Sequence, residues 1–174
     1  MTAYSAVPYE QKRSMKYLGN KTRLEDFLVS VLDLHQRKGQ HGLDLFSGTG
    51  SVSLLFKKYG LNTTSNDFLR FAATRASAIL QDNAPDPHPA LETTKMSGFV
   101  TDNYSEQAGV NIFTESVAKH IDGARSLLPK DPTSQDDLYY LAQIIECADF
   151  RSNIMGSYES FYKQGWRKQC DRPW

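Results

Sequence analysis

The chain has 174 residues, and its 20 Lys and Arg residues are balanced by 20 Asp and Glu residues. This length allows one ordinary domain, or one domain with a small addition, and the charge balance gives no overall sign of a nucleic-acid partner. Two cysteines are too few for a disulfide framework, and the sequence has neither a membrane-spanning apolar run nor a signal-peptide core. We therefore expect a cytoplasmic protein without a membrane partner.

The first predicted elements are a polar arm and an amphipathic helix. Residues 1–14 are polar and irregular, and the turn 15–21 leads into the helix. Either Asn20 or Thr22 can cap this helix. Its apolar residues recur at helical spacing, and we expect them to pack on a sheet. They are Leu24, Phe27, Leu28, Val31 and Leu32.

A strand and a glycine turn are predicted within residues 41–50, which read HGLDLFSGTG. Gly48 and Gly50 permit a tight turn into a helix over 51–59. Because glycines let the backbone approach a ligand, this unit suits a nucleotide-like cofactor at the carboxyl end of a parallel sheet. A glycine turn in some other α/β domain is the alternative. The residues typical of a short buried strand are Leu43, Leu45 and Phe46.

A second strand is predicted over 61–66, and Asp67 closes it. An acidic residue at this position suits a ribose diol. The dinucleotide fingerprint does not fit, because its third glycine would fall at Ser53, and the Gly-Lys-Ser/Thr sequence of a P-loop is absent. A helix rich in small residues follows over 69–80, and the loop 82–89 with its three prolines is the best candidate for a domain boundary.

The second half of the chain is predicted to be mainly helical. Thr114 is the expected N-cap of a helix that ends before Pro129, and Ser134 is the expected N-cap of a longer helix. Strand character returns only briefly, around residues 99–100. Aromatic and basic side chains interleave over 158–174, where they can stack bases and neutralise phosphates, or form a buried seam with snorkelling cations.

Two motifs resemble those of adenine-specific DNA methyltransferases related to the Dam enzyme, in the order called the alpha arrangement. Residues 17–21 (YLGNK) resemble the aromatic-x-Gly-Gly-Lys motif, and residues 44–50 (DLFSGTG) resemble the Asp-x-Phe-x-Gly-x-Gly motif. The resemblance implies an S-adenosylmethionine cofactor, with Lys21 at its methionine carboxylate and Asp67 at its ribose hydroxyls. The cofactor-binding residues implied are Tyr17, Gly19, Lys21, Asp44, Phe46, Gly48, Gly50, Asp67 and Phe68.

The second half also resembles the target-recognition insert in one branch of this family, most clearly at 98–105, 118–122 and 139–166. The resemblance implies a cofactor-binding α/β part over 15–90 and a helical part over 91–174 that recognises double-stranded DNA. The four histidines have no metal-ligand spacing, so no metal is expected. The DNA contacts implied are Asn103, Tyr104, Arg125, Asn153, Tyr158 and Lys163.

The catalytic loop of the family, Asp/Asn-Pro-Pro-aromatic, has no match in this sequence. That loop accepts hydrogen bonds from the adenine amine and stacks on the flipped base. Residues 171–174 contain three of its four residue types, but Arg172 replaces a proline, and we interpret the match as coincidence. Two or three strands are predicted, which is fewer than a sheet of this fold class requires. We expect a partial Rossmann-like α/β fold that a partner chain completes.

The resulting hypothesis is one subunit of a split, site-specific DNA adenine-N6 methyltransferase, active only with its partner. This chain would bind S-adenosylmethionine and contribute to DNA recognition, and a second subunit would carry the catalytic Asp-Pro-Pro-Tyr loop. One alternative is a non-catalytic accessory protein of a complete methyltransferase that binds cofactor or DNA. Another is a decayed relative. A methyltransferase for RNA or small molecules is disfavoured by the helical insert and the aromatic, basic close of the chain.

Overall fold

The computed structural model describes residues 21–155, 160–162, 165–170 and 172. These residues divide into two compact units, which we call the N-terminal unit, up to Pro85, and the C-terminal unit, from Asp86 onward. The division falls in the proline-rich loop. Within the described ranges, no helix combines the length and apolar character needed to cross a membrane.

The N-terminal unit is a mixed α/β structure around two parallel strands. Strand β1 (His41–Asp44) pairs with β2 (Asn62–Ser65), and helix α2 (Ser51–Tyr59) connects them. Parallel strands require a crossover connection of this kind. Helix α3 (Arg70–Leu80) follows β2 and packs against both β2 and α2. The alternation of strand, helix, strand and helix agrees with the predicted α/β class.

Helix α2 covers one face of β1. Gly42 and Asp44 are buried on this face, and a Cβ atom at Gly42 would lie 2.9 Å from the Phe56 ring of α2. At the far end of the unit, the Lys57 ammonium donates to the carbonyls of Ile79 (3.2 Å) and Gln81 (2.7 Å). These bonds satisfy carbonyl groups at the end of α3 that have no partner within the helix.

The opposite face of β1 is bare. Leu43 of the strand is 56% exposed, and the two apolar residues that follow the strand, Leu45 and Phe46, are 52% and 87% exposed. The prediction that these residues form a buried strand is therefore wrong for the described part of the chain, in which no layer covers this face. Within the described part of the chain, β1 has a single partner strand, β2. Parallel sheets are normally covered on both faces, and this small sheet is consistent with the predicted α/β class.

Helix α1 (Glu25–Leu34) lies N-terminal to the sheet and contacts α2. It follows a 3-10 turn, Thr22–Leu24, so the α-helix begins later than the predicted cap residues. None of its residues is buried, and Phe27 is 63% exposed. The predicted burial of its apolar stripe is thus wrong among the described residues. The Tyr59 hydroxyl donates to Asp33 (2.7 Å), and this bond to a carboxylate raises the pKa of Tyr59.

The C-terminal unit is helical, as predicted. It contains α4 (Phe99–Tyr104), α5 (Glu115–Ser126) and α6 (Gln135–Arg151), and α5 contacts both of the others. The predicted caps are confirmed, because the hydroxyls of Thr114 and Ser134 accept hydrogen bonds from amides in the first turns of α5 and α6. The buried core consists of Leu91, Ile112, Phe113, Val117, Ala118, Ile121, Ala124, Leu128, Ile144 and Ile154.

Helix α4 stands where brief strand character was predicted. The Asp122 carboxylate of α5 accepts hydrogen bonds from the backbone N–H groups of Val100 (2.9 Å) and Thr101 (2.8 Å). It also accepts from the Thr101 hydroxyl (2.7 Å). These bonds satisfy amides of the first helical turn, which a helix leaves without internal partners. The capping carboxylate comes from a distant segment, so the local sequence gave no signal for it.

Candidate functional site

The glycine turn after β1 is tight and depends on its glycines. Gly48 has a φ of 52° and Gly50 a φ of 77°, both in the left-handed region that favours glycine. The Gly50 N–H donates to the Ser47 carbonyl (2.7 Å), which closes the turn, and α2 begins at the next residue. A Cβ atom at Gly50 would lie 2.4 Å from the Ile79 side chain. The structure thus brings the backbone of the turn close to α3.

Asp67 ties together the chain segments that leave β1 and β2. One carboxylate oxygen accepts from the Gly48 N–H (2.7 Å), and the other accepts from the Leu69 N–H (2.9 Å). The Ser47 N–H donates to the carbonyl of Asn66, the residue before Asp67 (3.0 Å). Because the carboxyl ends of parallel strands meet at one edge of a sheet, the predicted turn and the predicted acid form one site.

Asp44 lies below this turn rather than at its surface. It is 9% exposed and accepts a hydrogen bond from the Ser53 hydroxyl of α2 (2.6 Å), which also contacts the Ser65 hydroxyl of β2 (2.9 Å). The Arg75 guanidinium of α3 donates to the Thr49 carbonyl at 3.1 and 3.3 Å. Sequence reasoning missed the supporting roles of Ser53 and Arg75, because neither belongs to a local motif.

Two aromatic rings flank the turn and are open to solvent. Phe46 is 87% exposed and Phe68 is 96% exposed. Ser47 follows Phe46 in the sequence. It is 6% exposed, and its buried hydroxyl has no hydrogen-bond partner among the described residues. A purine ring would find apolar surface here, and a ribose hydroxyl could donate to Asp67. The two rings and the Asp67 carboxylate therefore fit the nucleoside part of S-adenosylmethionine.

The predicted methionine end of the cofactor site is only partly described. Lys21 is exposed and precedes the 3-10 turn that leads into α1. Tyr17 and Gly19 lie outside the described residues.

The predicted DNA contacts differ in their placement within the C-terminal unit. Asn103 and Tyr104 lie at the end of α4, and both are exposed. The Tyr104 ring meets the exposed Phe99 ring in an edge arrangement, with centroids 5.8 Å apart. The Asn103 amide donates to the Phe99 carbonyl (2.8 Å). Tyr158 and Lys163 lie outside the described residues.

Two other predicted DNA contacts, Arg125 and Asn153, also hold segments of the unit together. The Arg125 guanidinium donates to the carbonyls of Leu128, Pro129 and Lys130, and so closes the C-terminal end of α5. Arg125 is half-buried and has further N–H donors, so it remains a predicted DNA contact. Asn153 is completely buried, and its bonds among the described residues are to other parts of the unit, so its side chain has no exposed surface for DNA in this structure.

The N-terminal unit contains a parallel strand pair, a glycine turn and an acid that joins the two strand ends. This arrangement is typical of the first part of a cofactor-binding α/β fold. Residues 17–162 match the family model described as D12 class N6 adenine-specific DNA methyltransferase. Since the match covers most of the sequence, the chain belongs to this family. The predicted family is thereby confirmed.

Curated relatives point the same way. Modification methylase LlaI of Lactococcus lactis subsp. lactis is 33% identical over 171 residues, which covers 86% of this chain and 27% of the relative. Type II methyltransferase M.FokI of Planomicrobium okeanokoites is 32% identical over 180 residues, covering 90% and 28%. Modification methylase StsI of Streptococcus sanguinis is 28% identical over 177 residues, covering 89% and 27%. The chain thus spans little more than a quarter of their length. No solved structure is significantly similar to it.

Proposed function

We propose that the N-terminal unit binds S-adenosylmethionine for methyl transfer to an adenine amine of DNA. The observation that carries this proposal is the Asp67 carboxylate, held by the Gly48 and Leu69 amides at the point where both strands end. Each carboxylate oxygen has a further lone pair that can accept from a ribose hydroxyl. When bound, S-adenosylmethionine supplies the methyl group.

The other residues of the turn hold the remaining parts of the cofactor. The exposed rings of Phe46 and Phe68 bind the adenine faces. Lys21, with Tyr17 and Gly19 beside it in the sequence, binds the methionine carboxylate as a point charge. Asp44 and Gly50 act beneath the turn, where they fix its shape.

A second polypeptide completes the sheet and carries the catalytic Asp-Pro-Pro-Tyr loop. This part of the proposal is supported by the exposed apolar face of β1 and by its second edge, which has no partner strand among the described residues. An exposed apolar edge and face are features that folded proteins normally cover. The adenine is flipped into the assembled site, and the catalytic loop of the partner accepts hydrogen bonds from its amine during transfer.

The C-terminal unit contributes to recognition of double-stranded DNA. The exposed Phe99 and Tyr104 rings and the Asn103 amide offer stacking and hydrogen-bonding groups on one short helix. Tyr158 and Lys163 also contact DNA, as the sequence predicts. Residues 15–90 then act as the cofactor part and residues 91–174 as the recognition part.

The experiment is a methyl-transfer assay on unmethylated duplex DNA with methyl-labelled S-adenosylmethionine. It compares this chain, the polypeptide that carries the catalytic loop, and their mixture. We expect transfer in the mixture alone. Asp67→Asn should raise the KM for S-adenosylmethionine by about tenfold or more, the effect of weakening hydrogen bonds to a charged group. The control Asp26→Asn changes an exposed acid of α1 and should leave KM within about twofold.

Three results would contradict parts of this proposal. Transfer by this chain alone would remove the need for a second subunit. Full activity of the other polypeptide, unchanged by this chain, would favour the accessory or decayed alternatives. A normal KM in Asp67→Asn would separate Asp67 from cofactor binding.

A further inference from the structure

The C-terminal unit contains a cavity of about 530 Å³ that the proposed cofactor site does not use. Its walls come from the segment around Thr93, the first turn of α5, the end of α6 and the segment around Cys170. The volume lies within the range of about 300–1,000 Å³ that is typical of ligand sites. The cavity is therefore large enough for more than an isolated ion.

The lining is predominantly cationic. Lys95, Arg151 and Arg172 line the cavity, and Glu92 is the one carboxylate among its described lining residues. Arg151 is 6% exposed, and its Nε–H donates to the Arg172 carbonyl (3.3 Å). The two guanidinium carbons lie 5.9 and 6.0 Å from the centroid of the Phe150 ring. The ring thus keeps both arginines at the same wall. Arg151 is buried there, which strengthens its attraction for an anion, whereas Arg172 is exposed.

The start of α5 faces the same cavity. Thr114, Ser116 and Val117 belong to its cap and first turn and line the space. The Lys95 ammonium donates to the Ser116 hydroxyl at 3.4 Å, which places this charge beside the helix start. The N-terminus of this 12-residue helix carries a partial positive charge, but Glu115 in its first turn and the Glu106 carboxylate, which accepts from the Glu115 N–H (3.0 Å), offset it. The positive field therefore comes mainly from the three cations.

His120 also lines the cavity, and the nearby charges act on its pKa. Burial lowers the pKa of His120 below its usual 6.5, and the positive charge of Lys95 lowers it further. Arg151 acts in the same direction, whereas a backbone hydrogen bond at Ser116 opposes them. Burial disfavours a charge of either sign here, but the contributions of Lys95 and Arg151 reflect a positive potential, and that potential favours an anion.

A close backbone contact holds Lys95 at the cavity. Gly123 of α5 lets the chain before Lys95 approach so closely that a Cβ atom would lie 2.4 Å from the Thr94 carbonyl oxygen. The Met96 N–H then donates to the Lys119 carbonyl (3.1 Å). A close contact before Lys95 and a hydrogen bond after it therefore fix its backbone relative to α5.

We propose that this cavity binds a phosphodiester group of the DNA backbone, with Lys95, Arg151 and Arg172 as its cationic ligands. The inference rests on the proposed function, because it takes the DNA substrate from there. Phosphate contacts of this kind position a duplex without reading its sequence. The cavity therefore anchors the recognition unit on the backbone, while other residues read the bases.

The test combines duplex binding with a phosphate titration of the whole chain. The variants are the double substitution Lys95→Gln/Arg172→Gln and the control Lys130→Gln, which changes an exposed lysine of the same unit. We expect the double variant to lower the slope of log affinity against log salt by about 0.9, the value for one phosphate contact, and the control to keep the wild-type slope. Inorganic phosphate should shift the ring resonances of His120 in the wild type and not in the double variant.

Each other outcome overturns the proposal in a distinguishable way. An unchanged slope with no response of His120 to phosphate would mean that the cavity binds no anion. A response to phosphate with an unchanged slope would mark a site for a small phosphate ligand rather than DNA. A wild-type chain that binds no duplex would contradict the DNA-binding part of the proposed function, and the assignment to DNA with it, whatever His120 reports.

Discussion

The side-chain amide of Asn153 joins segments of the C-terminal unit that are distant in sequence. Its Nδ2 group donates to the carbonyls of Asn111 and Tyr162, both at 3.1 Å. Its Oδ1 atom accepts from the Arg167 N–H at 3.2 Å. A buried amide with partners at both ends stabilises a fold mainly because removing it leaves those partners without hydrogen bonds.

Substitution of Asn153 should therefore affect stability rather than DNA contact. We expect Asn153→Ala to lower the free energy of unfolding by about 2–3 kcal/mol, the cost of leaving buried polar groups unpaired. The control Asn103→Ala removes an exposed amide with one bond within its own helix and should cost less than about 0.5 kcal/mol. Urea unfolding measures both values. Equal effects of the two substitutions would contradict the structural role of Asn153.

The lowered pKa of His120 predicts a pH dependence. Because burial and the charge of Lys95 lower it, with Arg151 assisting, the unfolded chain binds this proton more readily. The free energy of unfolding should then fall as the pH drops through 6.5 toward the lower folded-state pKa. The other charged side chains that line the cavity around His120 are those of Glu92 and Arg172.

Removal of one like charge tests this explanation. In Lys95→Gln, an NMR titration should place the pKa of His120 closer to 6.5 than in the wild type. The loss of unfolding free energy between about pH 7.5 and pH 5.5 should shrink accordingly. A His120 pKa that does not move would mean that Lys95 does not act on this ring.

At the scale of elements, Gly123 sets how closely α5 meets the chain before Lys95. Alanine in place of a helical glycine normally stabilises a helix by about 1 kcal/mol. Here its Cβ atom would lie 2.4 Å from the Thr94 carbonyl oxygen, so we expect Gly123→Ala to destabilise the fold by about 2 kcal/mol instead. The control Gly109→Ala has open space and a φ of 75°, and should cost about 1 kcal/mol. Thermal unfolding in which Gly123→Ala is stabilised would contradict the close contact.

Elements whose signals are local could be predicted from the sequence. The caps Thr114 and Ser134 and the glycine turn at Gly50 are each defined by neighbouring residues, and the structure has them in place. Helix α4 could not be predicted in the same way, because its cap is Asp122 of another helix. Three-dimensional capping of this kind leaves no pattern in the capped segment.

The candidate site also contains both residues with local sequence signals and residues that depend on tertiary contacts. The acid Asp67 and the glycine Gly48 were predicted from motif order, and they meet through a 2.7 Å hydrogen bond. Arg75, which holds the turn from α3, and the burial of Asn153 depend on tertiary contacts that no single segment encodes. The cationic cavity likewise assembles from four separate segments. Sequence reasoning found the motif residues and missed those that support them.

At the scale of the whole molecule, the uncovered face of β1 predicts where the proposed second polypeptide associates. Leu43 is 56% exposed, so we expect Leu43→Asp to change the stability of this chain alone by less than about 0.5 kcal/mol. The same substitution should weaken association with the polypeptide that completes the sheet by tenfold or more, about 1.4 kcal/mol, because a charge would enter an apolar contact. The control Leu34→Asp changes a leucine of α1 that is 77% exposed. Sedimentation of the mixtures measures the affinity, and equal weakening by both variants would argue against this face.

The proposed cofactor site lies on this chain, at the turn between Phe46 and the acid Asp67. The most direct measurement is ultraviolet crosslinking of methyl-labelled S-adenosylmethionine to the assembled enzyme, followed by separation of the chains and mapping of the labelled peptides. We predict label on a peptide of this chain that contains Phe46 or Phe68, and loss of that label in Asp67→Asn but not in Asp26→Asn. Label confined to the other polypeptide would contradict the claim.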